Sequence, residues 1–389
     1  MKLLIINSGS SSLKYKLIDM PSKKTLLYGH VDAIGLDRCE VKITVRNKTT
    51  LKKCAVKDHI EATIRALESL KKNKVIKSYN EIDAVGHRVV HGGEYYNHAV
   101  KIDQSVINNI KKLCDFAPLH NPSNLAGILT CKKILRNTLQ YAVFDTAFHQ
   151  TIPSYAFRYG IPNEFYVKYG IRKYGFHGIS HKYLADKAYT ILGDKKKNII
   201  TCHLGNGSSI TAIKNGKSID TTMGFTPMDG LMMGTRSGEI DPEIPLYLMK
   251  KRHYTPEDME FILNSKSGLL GISEETSDIR DIRSLALKGD KNARLALKML
   301  AYKIAFYISG YAGILGGTDA IIFSGGIGEH AWFIRKDVLD NLQGLGIDYD
   351  REANKNNEII ISTKKSKIKI FIIPSNEELE IAKEIYKMI

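Results

Sequence analysis

The chain has 389 residues, beyond the roughly 250–300 at which one hydrophobic core stops growing, so two domains are expected, and 43% hydrophobic residues can fill both. Five cysteines (Cys39, Cys54, Cys114, Cys131, Cys202) without a CxxC or metal spacing exclude a disulfide framework and read as reduced thiols of a cytosolic protein. The net charge of +16 comes from scattered lysines (Lys71-Lys72, Lys195 to Lys197, Lys364-Lys365) with no aromatic residues interleaved, which argues against a specific nucleic-acid partner and for a solvated surface that attracts anionic substrates.

Met1 to Asn7 is too short in its apolar part for a signal peptide and reads as a strand. It enters a polar loop, Asn7 to Ser12, and residues 13–18 and 25–31 continue as an antiparallel meander. Asp58 to Lys72 carries Ile60, Ile64, Leu67 and Leu70 at helical spacing, with Asp58 and Glu61 placed as a capping box. Ile82 to Val90 reads as a strand that delivers His87 to Gly93 at its end. Val106 to Leu113 marks a helix, and Asn121-Pro122 opens another. The strand Tyr141 to Phe144 ends on Asp145, an acid beyond a strand end, where α/β sheets build their sites.

The second half repeats the plan. Residues 198–203 form a strand, a loop rich in Gly, Asn and Ser follows through Ser209, and residues 209–213 turn at Asn215-Gly216 into 218–222, a hairpin signal. Helices are expected after Thr255-Pro256, near Asp278 and from about Asp290 to Leu315. The apolar run Met299 to Leu315 is interrupted by Lys303 and reads as a buried core helix rather than a membrane span. The strand 319–323 meets a glycine turn, Ser324 to Glu329, and a strand at 368–373 precedes a final helix. No low-complexity linker separates the halves.

Both polar loops can turn backbone N–H groups toward one point, because glycine has no Cβ to block the approach. A phosphate is the natural occupant, although either loop alone also reads as a tight turn with no ligand. Gly216-Lys217-Ser218 is no Walker motif, since Thr211 stands where that pattern needs glycine, and no GxGxxG follows the first strand. Two such loops in matching strand contexts point to a duplicated phosphotransferase fold.

The segments Asn7 to Lys14, Gly86 to Gly93, Val143 to His149, Tyr174 to Gly178, His203 to Ser209, Gly224 to Leu231, Gly234 to Gly238, Phe323 to Glu329 and Asn376 to Glu378 resemble, in order and over the whole length, the acetokinase family of the acetate and sugar kinase, Hsp70 and actin superfamily. The resemblance implies an α/β fold of two similar domains of the actin-like ATPase (ribonuclease H-like) type with a cleft between them. Residues 1–150 plus about 375–389 would form an N-terminal domain on the metal and acyl side, and 151–374 a nucleotide-binding domain. It implies reversible phosphoryl transfer from ATP to acetate without a covalent protein intermediate, with Mg²⁺ (Mn²⁺ also serving) and in a homodimer. Propionate as substrate and a non-catalytic nucleotide-binding scaffold are the alternatives.

By that resemblance Arg236 and His177 stabilise the transferring phosphoryl group, Arg88 also holds the acyl carboxylate, and Asp145 is the catalytic acid. From the residues alone, Arg88 also reads as a structural ion pair and His177 as an ordinary turn histidine. A small carboxylic acid is already ionised near neutral pH and needs no general base, so Asp145 is expected to organise metal, water or Arg88. The metal-linked positions are Asn7 and Glu377. Lys14 would meet ATP phosphates, with His203, Leu204, Gly205, Asn206 and Gly207 around them. Asp278, Ile279 and Arg280 would lie near the adenosine, and Gly326, Ile327, Gly328, Glu329 and His330 beneath it. His330 stands where many relatives have Asn. Val90, Leu119, Phe176 and Pro227 would line the acyl pocket.

Overall fold

A computed structural model describes residues 1–9 and 11–389, so Ser10 of the first polar loop lies outside the described residues. The chain divides into two compact units, Met1–Phe148 with Asn376–Ile389, and His149–Ser375.

Unit 1 is built on a sheet of β1 (Lys2–Ser8), β2 (Leu13–Asp19), β3 (Lys24–Asp32), β4 (Glu40–Val45), β5 (Lys48–Lys53), β6 (Ala84–Val89), β7 (Val100–Lys101) and β8 (Leu139–Phe144), in the order β5-β4-β3-β2-β1-β6-β8-β7. β1, β2 and β3 run antiparallel, while β1, β6 and β8 are parallel. Of the parallel strands, β1 and β8 are mostly apolar and almost wholly buried, as expected for strands covered on both faces. One core packs Leu4, Ile6, Leu67, Leu70 and Val85 together, and a second gathers Val89, Ile110, Ile128 and Phe144. The hairpin β4–β5 has no counterpart among the expected elements, because β5, Lys48–Lys53, is exposed along its length and carries no alternating apolar pattern.

Unit 2 holds β9 (Ile199–Leu204), β10 (Ser208–Lys214), β11 (Lys217–Thr221), β12 (Ala320–Ser324) and β13 (Lys369–Ile372), in the order β11-β10-β9-β12-β13. β9, β10 and β11 are antiparallel, and β9, β12 and β13 parallel. This matches the run β3-β2-β1-β6-β8 of unit 1 strand for strand in order and direction. Both units are thus α/β sheets of the actin-like ATPase type.

Three local expectations change. Asp58 caps the helix His59–Lys72 by accepting the N–H of Glu61, but the Glu61 side chain reaches one residue further back, to the N–H of Lys57, so the box is only half formed. Ser324 to Glu329 is no open glycine turn: Gly325–His330 forms a helix immediately after β12. The helix Lys291–Ile314 buries Ala293, Ala296, Leu300, Ile304 and Ile308, yet leaves Leu295, Met299, Tyr302, Phe306 and Ile314 from 36% to 62% exposed. It is therefore a core helix on one face only. Among the described residues no helix is long and apolar enough to cross a membrane.

Candidate active site

In unit 1, three adjacent parallel strands carry polar residues at their carboxyl ends: Asn7 on β1, Arg88 on β6 and Asp145 just past β8. Asp145 is held there by its N–H, which donates to the Val89 carbonyl at 3.0 Å. Arg88 is the hub. Its Nε–H donates to Asp145 Oδ1 and Oδ2 at 3.0 and 3.1 Å, its Nη2 makes a short ion pair with Asp145, and its Nη1 donates to Asn7 Oδ1 at 3.0 Å. Glu377 Oε2 lies 3.9 Å from Arg88 Nε. Asp145 is 1% exposed; burial raises its pKa and Arg88 opposes the rise, while the carboxylates beside Arg88 hold that guanidinium charged.

Glu377 opens the helix Glu377–Tyr386 behind the cap residue Asn376, where a helix N-terminus favours acidic side chains. Lys16 Nζ donates to Asn376 Oδ1 at 3.1 Å and pairs with Glu378 at 2.9 Å. Asp145, Glu377 and Glu378 thus face Arg88 and Lys16. Among the described residues no group of three or more His, Cys, Asp or Glu is arranged to hold a metal directly. The carboxylate and amide oxygens nevertheless fit Mg²⁺, which binds through one or two protein oxygens and keeps several waters. Lys14 lies opposite Asn7 on β2, exposed. Val90 is buried, whereas Leu119 is 52% exposed.

In unit 2, the loop between β9 and β10 is pinned by Gly205 N–H to the Gly207 carbonyl at 3.1 Å and by Gly234 N–H to the Asn206 carbonyl at 3.0 Å. His177 adopts the left-handed conformation (φ 56°, ψ 22°) and starts the helix Gly178–Leu192, a conformation uncommon outside glycine and found where function requires it. Gly207 fits between two cationic or polar side chains: a Cβ there would lie 3.5 Å from His177 Nε2 and 3.6 Å from Arg236 Nη1. Arg236 is partly buried, and burial lowers its pKa. Its guanidinium has only the Pro227 carbonyl at 3.4 Å and the Met233 sulfur at 4.0 Å, and no carboxylate among the described residues. A desolvated cation without a counterion marks an anion site. Phe176 is buried beside His177, and Pro227 is half-buried.

The same loop borders a pocket of about 670 Å³. It is lined by Gly205, Asn206, Asp278, Ile279, Arg280, Gly326, Ile327 and His330, which the resemblance assigns to the nucleotide, and also by Ser277, Arg283, Phe333 and Gly234. Arg283 stacks on Trp332 and Phe333 at 4.7 and 4.4 Å from the ring centroids. Nothing local to Arg283 announces this, because the aromatic pair lies about fifty residues further along the chain. Asp278 caps its helix and is held near a pKa of 2 by the Arg280 side chain and N–H. His203 stands beside the pocket rather than in its wall, 4.3 Å from the His177 ring and bonded through Nδ1 to Ser180 at 2.7 Å. Leu204 belongs to the core. The Gly328 carbonyl accepts from Arg335 at 2.7 Å, and Glu329 accepts the N–H groups of Gly325 and Ser375 at 2.9 and 3.0 Å. Gly328 and Glu329 therefore brace the pocket floor from below.

The sequence and structure were compared with those of known proteins. An acetate kinase of Caldicellulosiruptor saccharolyticus is 50% identical over 397 aligned residues, covering 100% of both chains. The crystal structure of Porphyromonas gingivalis acetate kinase superposes with a TM-score of 0.93 at 42% identity, covering 100% of this chain and 99% of that one. A propionate kinase from Francisella tularensis gives 0.94 at 42% identity, covering 98% of each. Residues 2–383 match the acetokinase family as a whole, and the protein belongs to that family.

Proposed function

We propose that the protein is an acetate kinase that transfers the γ-phosphoryl group of ATP reversibly to acetate. The observation that carries this reading is the partly buried Arg236 guanidinium without a carboxylate partner, converging with His177 over Gly207 beside the unit 2 pocket. Phosphoryl transfer leaves little covalent chemistry to the protein, whose task is to position reactants and neutralise the equatorial oxygens. Arg236 supplies a fixed charge for that purpose and His177 a hydrogen bond. The loop from His203 to Gly207 holds the phosphates of the nucleotide, and the Asp278-Ile279-Arg280 and Gly326 to His330 segments hold its nucleoside.

Arg88 orients the acetate carboxylate, and Asp145 orients Arg88. Acetate is ionised at neutral pH, and both Asp145 oxygens are occupied by Arg88, which favours an organising role over that of a base. Asn7 and Glu377 would hold Mg²⁺ through its water shell, and the ion would supply charge neutralisation for the phosphates. In unit 1, Val90 and Leu119 present apolar surface suited to the methyl group. The exposed stripe Leu295, Met299, Tyr302, Phe306 and Ile314, spaced three, four or eight residues apart along one helix, supports a homodimer. Five free thiols and the use of ATP support a cytoplasmic location.

The test is incubation with MgATP, hydroxylamine and a short carboxylic acid, which traps an acyl phosphate as its hydroxamate. Acetate should give the highest kcat/KM among acetate, propionate and butyrate. A preference for propionate would move the assignment to the other substrate seen in the family, and no product with any short acid would remove the kinase reading.

A further inference from the structure

Behind His177 runs a row of buried polar side chains to which the transfer reaction assigns no task. Thr201 Oγ1 lies 2.7 Å from His181 Nδ1, His181 Nε2 lies 2.7 Å from Ser209 Oγ, and Ser209 Oγ lies 2.9 Å from His177 Nδ1. Thr201, His181 and Ser209 are each 0% exposed. Burial, with His149 and His203 close by, drives the His181 pKa well below 6.5, so its ring is neutral and has one N–H and one bare nitrogen.

Each hydroxyl has a single hydrogen to donate, and if both rings donated to Ser209 its hydrogen would have no acceptor among the described residues, which leaves two ways to polarise the row. If His177 carried its proton on Nδ1, it would donate to Ser209, Ser209 to His181 Nε2, and His181 Nδ1–H to Thr201. The Thr201 hydroxyl hydrogen would then have no acceptor, since His181 is the only side-chain hydrogen-bond partner of Thr201 among the described residues. A buried donor left without an acceptor keeps its full desolvation cost. In the opposite sense, Thr201 O–H donates to His181 Nδ1, His181 Nε2–H to Ser209 Oγ, and Ser209 O–H to His177 Nδ1. Every donor is then used, and the proton of a neutral His177 must sit on Nε2.

We infer that Thr201, His181 and Ser209 form a positioning relay that holds His177 as its Nε2–H tautomer, making it a neutral hydrogen-bond donor to the anion beside Arg236. The inference deepens the proposed function and rests on its role for His177. His177 Nε2 is the ring atom beside Gly207, on the side where Arg236 Nη1 converges. A neutral donor there grips a phosphoryl oxygen without having to become imidazolium. The row also explains why a histidine in a left-handed turn keeps one orientation: Ser209 holds its other nitrogen from within β10.

The resting protein decides the tautomer without any substrate. In long-range ¹⁵N–¹H imidazole spectra at pH 7.5, His177 should show protonated Nε2 and bare Nδ1 in the wild type, and a tautomer mixture in Thr201→Val. In the hydroxamate assay Thr201→Val and Ser209→Ala should lose about 10- to 100-fold in kcat, the usual scale for outer-shell partners. KM for ATP and acetate should be unchanged, and Thr201→Ser should restore kcat. A protonated Nδ1 in the wild type overturns the relay, as does a Thr201→Val protein whose tautomer and kcat match the wild type. Absence of hydroxamate from the wild type would instead strike the proposed reaction, and the spectra would still judge the relay.

Discussion

The run β3-β2-β1-β6-β8 of unit 1 and the sheet β11-β10-β9-β12-β13 of unit 2 share order and direction, yet the arginines at their sites stand in opposite electrostatic conditions. Arg88 is paired: Asp145 takes its Nε and Nη2, Asn7 takes Nη1, and Glu377 lies 3.9 Å away, while each Nη keeps a second hydrogen for a substrate carboxylate. Among the described residues Arg236 faces only a carbonyl and a thioether. One cation is part of the folded structure, and the oxygens around it suit a hydrated Mg²⁺. The other is a cost to the fold that a bound anion would relieve. Duplicated topology therefore carries two different chemistries, set by which side chains follow the strand ends.

The largest expected effect breaks that contrast at its open side. Arg236→Ala should lower kcat by roughly 10³-fold, on the scale of an arginine finger, while leaving the midpoint of urea unfolding unchanged or raised. A near-normal rate in the hydroxamate assay would remove Arg236 from the mechanism. Arg88→Ala should behave differently, costing about 3–5 kcal/mol of stability in urea titrations because Asp145 and Glu377 lose their shared cation. Equal stability losses in the two variants would end the distinction between a structural and an open arginine.

The pH dependence of folding sharpens the comparison. His87 in unit 1 and His149 in unit 2 are held down to pKa values of about 4, and His91 to about 3, all by burial. Their ordinary value is 6.5, so between about 6.5 and 4 the unfolded chain binds more protons than the folded one. The stability tied to these rings is present in full above 6.5 and lost as pH falls toward 4, by up to about 1.4 kcal/mol per pH unit for each histidine. Thermal unfolding followed from pH 7.5 to 4.5 should show a steady decline; a flat profile would mean that the rings are not buried neutral. Both units should respond, unlike the arginine variants. The smallest expected effect is Arg283→Ala, which should raise KM for ATP by about fivefold through loss of roughly 1 kcal/mol of stacking, with kcat little changed. An unaltered KM would take Arg283 out of the nucleotide pocket.

Much of this was legible locally. The strand, polar loop and strand pattern marked both loops, Asn215-Gly216 marked the β10–β11 hairpin, and Asp145 stood out as an acid past a strand. The hairpin β4–β5 was not legible, since an exposed edge carries no apolar period. Nor was the helix Gly178–Leu192, whose buried residues include Ser180 and His181, so its pattern lacks a clean apolar face. The outward stripe of Lys291–Ile314 was read as core, because an apolar residue on a helix looks alike whichever way it faces.

What the sequence by itself determined is the repeated sheet plan and the identity of the chemical groups, since periodicity and turn residues act over a few neighbours. Which groups meet was decided only by tertiary structure. Arg88 and Asp145 are 57 residues apart, and His177 reaches Ser209 across 32, so no local pattern records their contact. Register between parallel strands puts the first pair together, and the packing of one helix start against β10 the second. The same folding leaves Arg236 without a carboxylate, a property that belongs to its surroundings and not to the residue.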